Sequence, residues 1–208
     1  MTASQPLSVK QNLTIRLLRV LRYNKARIER ALTLLPDAQK PLFHVLPFLV
    51  HINHENLPGF VPLPESGEPI PFGISNYSFR VDVEHALMQC FPTQSELFKD
   101  IRQIWPRQRA VESLVLMGSI GTIAQTDHSD FDYWVCVDGQ DFSEAQLEKL
   151  QQKLTLIEQW AEHEYKVEVH FFLSQIDHVR QNNFGIADGE SAGSAQALFL
   201  KAEFYNTN

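Results

Sequence analysis

Cysteine is scarce in this 208-residue chain, which has only Cys90 and Cys136. Two thiols are too few for a disulfide framework, and their separation matches no metal-binding spacing. Cys136 falls inside an apolar run, where a buried, reduced thiol is expected. Long apolar runs are missing too: no stretch approaches the length that spans a bilayer, and Met1–Lys10 has no apolar signal core. The expectation is a cytoplasmic protein with no membrane span. Nor is there an excess of positive charge. The formal net charge is -7, which argues against a dedicated DNA- or RNA-binding surface and so against a nucleic-acid partner. A nucleotide substrate is not excluded, because a metal ion can neutralise its phosphates. Internal repeats and low-complexity tracts are absent. What remains is the composition of an ordinary globular protein, long enough for one or two domains with a real core.

What is present divides the chain into a helical amino-terminal segment (1–56), a Pro-rich connector and lead-in (57–92), and a module of helices and strands (93–208). In the first, Leu13, Leu17, Val20, Leu21, Ile28, Leu32 and Leu35 recur at helical spacing. Arg16, Arg19, Arg22, Lys25, Arg27 and Arg30 are read as the opposite face. A solvated basic surface explains them, and a phosphate-facing or partner-facing role is the alternative. A second helix is expected over about Gln39 to Asn53, kinked at Pro47. His44, His51 and His54 could share one of its sides, but no acidic or cysteine partner completes a metal set, so core or surface histidines are the better reading. Leu57 to Gly73 holds five prolines and three glycines, which excludes regular helix or central strand. It reads as an extended connector wrapping one part against the other.

The third part alternates helix and strand. A short helix is expected at Ser95–Trp105 and strands at Val111–Met117 and Phe131–Val137. A long helix follows, opened by a capping box at Ser143 and Gln146, then a strand from Tyr165 to Leu173. That order predicts an α+β fold, a small mixed β-sheet with flanking helices. Its chemistry concentrates in Gly118-Ser119, then Ser129-Asp130-Phe131-Asp132. Residues two apart on a strand face one side, so Asp130 and Asp132 present their oxygens together. Such a pair is costly unless a cation lies between them, and hard oxygen ligands suit Mg²⁺ with substrate phosphates. Glu168, acidic in an apolar strand, is either an exposed edge residue or the third carboxylate of a cage for one or two ions. His170 is expected to point the same way. Gly118 lets the backbone approach a triphosphate closely, and Ser119 supplies hydroxyl and N–H donors.

Gly118-Ser119 followed by Asp130-x-Asp132, with an acid on a later strand, resembles the nucleotidyltransferase signature of the DNA polymerase β superfamily. More narrowly, Met117-Gly118-Ser119 with Ser129 to Cys136 is similar to the amino-terminal catalytic region of bacterial class I adenylate cyclases. Asn24 to Leu32, Leu57 to Phe60, Val167 to Leu173, Gly189 to Ser194 and Glu203 to Tyr205 agree with that family in order. The resemblance implies a lyase that cyclises ATP to 3′,5′-cyclic AMP with release of pyrophosphate. It implies that Asp130, Asp132 and Glu168 hold Mg²⁺, with Mn²⁺ as the alternative ion. Gly118, Ser119 and Ser129 would contact phosphates, and Trp134 would support the nucleotide or the strand. Family members are much longer, with further catalytic helices and regulatory parts following, and they carry a basic residue where this chain has Asn206. Regulatory protein partners are implied by the resemblance alone. A nucleotide-binding module without useful turnover, or transfer of a nucleotide to another hydroxyl, stays open. Near the end, Gly185, Gly189 and Gly193 punctuate a loop before a helix expected from Ala195 to Tyr205, either a phosphate-receiving turn or a plain junction.

Overall fold

The computed structural model describes residues 8–64, 67–139 and 141–177. The carboxy-terminal glycines, the helix expected after Ser194 and the Glu203-Phe204-Tyr205 segment lie outside them. The described chain runs α1 (Val9–Leu34), α2 (Lys40–His51), α3 (Val81–Cys90), α4 (Ser95–Lys99), β1 (Val111–Leu116), β2 (Phe131–Val137), α5 (Glu144–Tyr165) and β3 (Val169–Gln175). The fold is α+β, with helices around a three-stranded mixed sheet ordered β1-β2-β3. β1 pairs antiparallel with β2, and β2 pairs parallel with β3. A parallel pair needs a crossover, which α5 provides.

Local chemistry explains most of the elements. Both long helices open on capping boxes: Ser8 with Gln11 in α1, and Ser143 with Gln146 in α5 as expected. α2 is apolar nearly all round, and Leu42, Val45, Leu46, Phe48, Leu49 and Val50 are fully buried. Each such side chain contributes about 1.5–3 kcal/mol by leaving water. They pack with Leu150, Leu154 and Ile157 of α5 and with one face of the sheet: Phe131, Tyr133, Val135 and Val137 of β2, Val169 and Phe171 of β3. The helix continues across Pro47.

Three expectations are corrected. The short helix at Ser95–Trp105 breaks after Lys99 into a separate 3₁₀ turn, Ile101–Gln103. The third strand starts later than Tyr165, because α5 runs on through that residue and ends at Lys166 in the left-handed region, φ 55°. Glu168 therefore precedes β3 and is exposed. Finally, the apolar stripe of α1 is largely in solvent: Ala31 is its buried residue, and Leu35 beyond it is buried too.

The connector is held by polar anchors from α5 and from the end of α2. Asn53 donates its side-chain amide to the Val61 carbonyl and accepts from the Val61 N–H. Lys153 of α5, fully buried, donates to the Ile52 carbonyl at 2.5 Å and the Gly59 carbonyl at 3.1 Å. Gly59 has φ +81°, and a Cβ there would meet Ile157 Cγ1 at 2.5 Å, so only glycine lets the connector lie this close to α5. His51 is buried against Tyr77 and Trp105, and its Nδ1 accepts from the Ile74 N–H at 2.9 Å. Burial first, then Arg109 and Lys153, push its pKa down to about 4, so it stays a neutral acceptor. His44 faces Asp82 and His54 accepts from the Asn56 N–H, so the three histidines serve separate contacts.

Burial also lowers the Lys153 pKa to about 7. A neutral amine still donates hydrogen, so the two carbonyl bonds persist on deprotonation. Because the unfolded chain holds this proton up to the ordinary lysine range, the unfolded state binds more protons between about pH 7 and 10, and stability rises with pH there. Below pH 7 the burial cost is fully felt. Urea unfolding of wild type against Lys153→Met should show the difference moving in favour of wild type from pH 7 to 9.5, by on the order of 2 kcal/mol. A pH-independent difference excludes the proton release.

Candidate functional site

The site begins where β2 begins. The Phe131 N–H donates to the Glu168 carbonyl at 3.0 Å, which opens the parallel ladder and places Asp132 opposite His170. Side chains alternate across a strand, so Phe131 and Tyr133 enter the main core while Asp130 and Asp132 emerge on the other face. On β3 the same alternation sends Val169 into the core and His170 to the acidic face. One ligand atom each from Asp130, Glu168 and His170 lies within 4.8 Å of the others. Among the described residues this is the one group of three such side chains close enough to share an ion. Asp132 stands outside it, with its carboxylate against the backbone of Gly118.

β1 delivers that backbone. The Met117 N–H donates to the Asp132 carbonyl at 2.7 Å, and the chain then turns at Gly118 with φ +71°. A Cβ on Gly118 would lie 2.9 Å from Asp132 Oδ2, so the turn and the carboxylate touch only because the residue is glycine. Ser119 and Ser129, at the two ends of the loop, join through their hydroxyls at 2.7 Å, and Ser129 Oγ also accepts from the Thr126 N–H. Gly118, Ser119, Ser129, Asp130, Asp132 and Glu168 therefore lie at one end of the sheet, but the acid expected to share an ion with Asp130 and Glu168, Asp132, is replaced in the close group by His170. Trp134 is two residues further along the same face and only 2 % exposed, packed with Met117 and Cys136. Burial raises the Cys136 pKa, in keeping with the reduced thiol expected there.

The loop has a brace that sequence reasoning missed. Arg27 of α1 donates from Nε to the Ile120 carbonyl and from Nη2 to those of Met117 and Gly118, at 2.9–3.3 Å. Arg30 donates to the Thr122 carbonyl. Trans peptide units point their N–H opposite their C=O, and no peptide bond here is cis. With the Met117 and Gly118 carbonyls held on Arg27, the N–H groups of Gly118 and Ser119 point away from α1. Two successive N–H groups on such a turn form a concave anion site. The overlooked signal is helical phase. Arg27 lies seven residues after Val20 and four before Ala31, on the apolar stripe and not on the basic face where it was placed. His170 had the correct phase but, as a neutral residue type, drew less weight than the acids.

The donor set fits a divalent cation. Carboxylate oxygens suit Mg²⁺ or Mn²⁺, and an imidazole nitrogen widens the set toward transition metals. Acids converging beside outward N–H groups and two hydroxyls can bind a metal and a phosphate chain side by side.

Residues 12–208 match the family model described as the adenylate cyclase NT domain. Proteins named adenylate cyclase are similar over 88% of this chain. That of Pasteurella multocida (strain Pm70) is 34% identical over 188 residues, that of Escherichia coli (strain K12) 34% over 187, and that of Haemophilus influenzae (strain ATCC 51907 / DSM 11121 / KW20 / Rd) 35% over 191. Their matched parts are 21%, 20% and 22% of their own lengths, so the chain spans about a fifth of the curated relatives it matches. No solved structure matches. With its amino-terminal helices and acidic sheet end both inside the matched region, this chain belongs to the adenylate cyclase amino-terminal domain family.

Proposed function

We propose that this chain is a catalytic module that converts ATP to 3′,5′-cyclic AMP and pyrophosphate by the metal-dependent nucleotidyltransferase route. The observation that carries the reading is the convergence of Asp130, Glu168 and His170 beside the Gly118-Ser119 turn, with Asp132 pressed to that turn. Family membership supports the reaction class, because the relatives are named for it. In the reaction a bond forms from the ribose 3′ oxygen to the α-phosphorus and the bond to the pyrophosphate oxygen breaks. The 3′ hydroxyl proton passes to solvent.

Asp130, Glu168 and His170 would hold Mg²⁺ or Mn²⁺, with Asp132 as a further carboxylate at its edge. Such an ion lowers the pKa of a bound hydroxyl and stabilises a departing pyrophosphate. The chain's own residues do the positioning. The outward N–H groups of Gly118 and Ser119 receive phosphate oxygens, and the Ser119–Ser129 pair turns its hydroxyls to the same chain. Arg27 keeps these donors aimed by holding the carbonyls behind them, so little reorganisation is needed when charge develops. Trp134, buried as it is, supports the strand.

Incubation with ATP and Mg²⁺ or Mn²⁺, followed by chromatography, tests the reading directly. Cyclic AMP with pyrophosphate supports it. A nucleotide transferred to another hydroxyl, or nucleotide bound and left intact, replaces it with one of the two alternatives. Asp130→Asn and Asp132→Asn should each reduce turnover by at least about 100-fold, since even outer-shell partners of metal ligands cost 10–100-fold. Their melting temperatures should stay near wild type, and an unchanged rate in either removes that residue from the site.

Gly118→Ala should weaken Mn²⁺ binding, read by the loss of free-ion paramagnetic resonance, by roughly tenfold, because the new Cβ displaces Asp132. Gly67→Ala is the control. It has φ +73° with nothing within 4 Å of the added atom, so it shares the backbone strain, on the order of 1–3 kcal/mol, and leaves the metal alone. Equal effects from the two would mean that strain, and not the carboxylate contact, is responsible.

A further inference from the structure

Among the described residues, nothing covers an apolar row that runs along α1 from Val9 to Ile28. At 100° per residue, Val9, Leu13, Leu17, Val20, Leu21 and Ile28 fall within an arc of about 120° and run for about 28 Å. All six are exposed, Leu13 by 60% and Leu17 by 59%. Lys10 and Asn24 share the arc, but six exposed apolar side chains along one face are more than scattered surface residues and mark a binding face. The same arc contains Arg27 and Ala31, which seat α1 on the Met117–Thr122 loop. The exposed row thus continues an established packing face past the edge of the body. At the junction is a recess of about 300 Å³ lined by Asn24, Ile28, Phe43, Leu114 and Leu116, room for one or two apolar side chains.

Charge narrows the occupant. α1 holds seven basic residues and one acid, Glu29, whereas the rest of the chain holds eleven basic residues against twenty-four acids. Arg16 and Lys25 border the apolar arc on its two sides by helical phase. Two α1 helices laid together would set basic flank on basic flank, which disfavours pairing between copies through this helix. Shape narrows it further. Because the arc faces the side where β1 and its loop lie, a flat bilayer against the row would meet the body. A helix, about 10–12 Å across with its side chains, presents a much narrower profile.

We propose that this overhang is the docking site for an acidic amphipathic helix of a protein partner. Its apolar residues would recur at i, i+3/i+4 and i+7 and would enter the row and recess, while Asp and Glu on both flanks meet Arg16 and Lys25. This is helix-in-groove recognition. It does not depend on the cyclase reading.

The test uses the full chain and two labelled 18-residue helical peptides with the same leucine row, one flanked by Glu and one by Lys, followed by fluorescence anisotropy. The expected result is saturable binding of the Glu peptide at least tenfold tighter than the Lys peptide, weakened by salt. It should fall at least tenfold in Leu17→Glu and in the double variant Arg16→Glu/Lys25→Glu. These positions are exposed, so circular dichroism should show unchanged folding. Equal binding of the two peptides, no binding up to 1 mM, or insensitivity to Leu17→Glu overturns the proposal. So does either competing occupant: binding to phosphatidylglycerol-containing vesicles in preference to the Glu peptide, or self-association in sedimentation that Leu17→Glu abolishes.

Discussion

Parallel pairing of β2 with β3 is the constraint from which the acidic corner follows. Its first bond, from the Phe131 N–H to the Glu168 carbonyl, sets a register in which Asp132 faces His170. A slip of one residue would send the acids toward the core and Phe131 or Val169 into water, so burial of the odd-numbered face defends the placement of the even-numbered one. The register depends in turn on α5. That helix must end at Tyr165 and reverse at Lys166, in the left-handed region, for Glu168 to arrive beside Asp130.

How much of this was legible depends on the range of the interaction. Spacing alone exposed Gly118, Ser119, Asp130 and Asp132, because strand alternation and a glycine turn are local rules. The capping box at Ser143 was local too, and marked the start of α5 correctly. The start of β3 was not local: Tyr165, Val167 and Val169 alternate like a strand, and only the packing of α5 decides that the first of them stays helical. Glu168 was read as a residue inside the strand for that reason, yet it reaches the site from just before it. Lys153 was illegible for a different reason: it acts on carbonyls more than ninety residues away in sequence, and backbone acceptors leave no trace in residue identity. For Arg27 helical phase gives the face, but not the carbonyls it reaches.

Polar anchors add to the shared apolar core in tying the connector to the helices on either side of it. Asn53 pairs with Val61, His51 accepts from Ile74, and Lys153 spans from α5 to the end of α2 and the connector. Proline and glycine deprive the connector of regular hydrogen bonding, so its carbonyls and N–H groups need partners from outside. A buried lysine whose proton is readily lost meets that need with less charge to desolvate than a permanently ionised arginine would bring.

The attachment of α1 has a mechanical consequence. The helix extends about 22 Å beyond Asn24 toward Val9, and the guanidinium of Arg27 clamps its inner end to the carbonyls of Met117, Gly118 and Ile120. It is a cantilever, and a sideways force on its free tip arrives at the clamp as torque. The bend that receives this torque is the one whose glycine abuts Asp132.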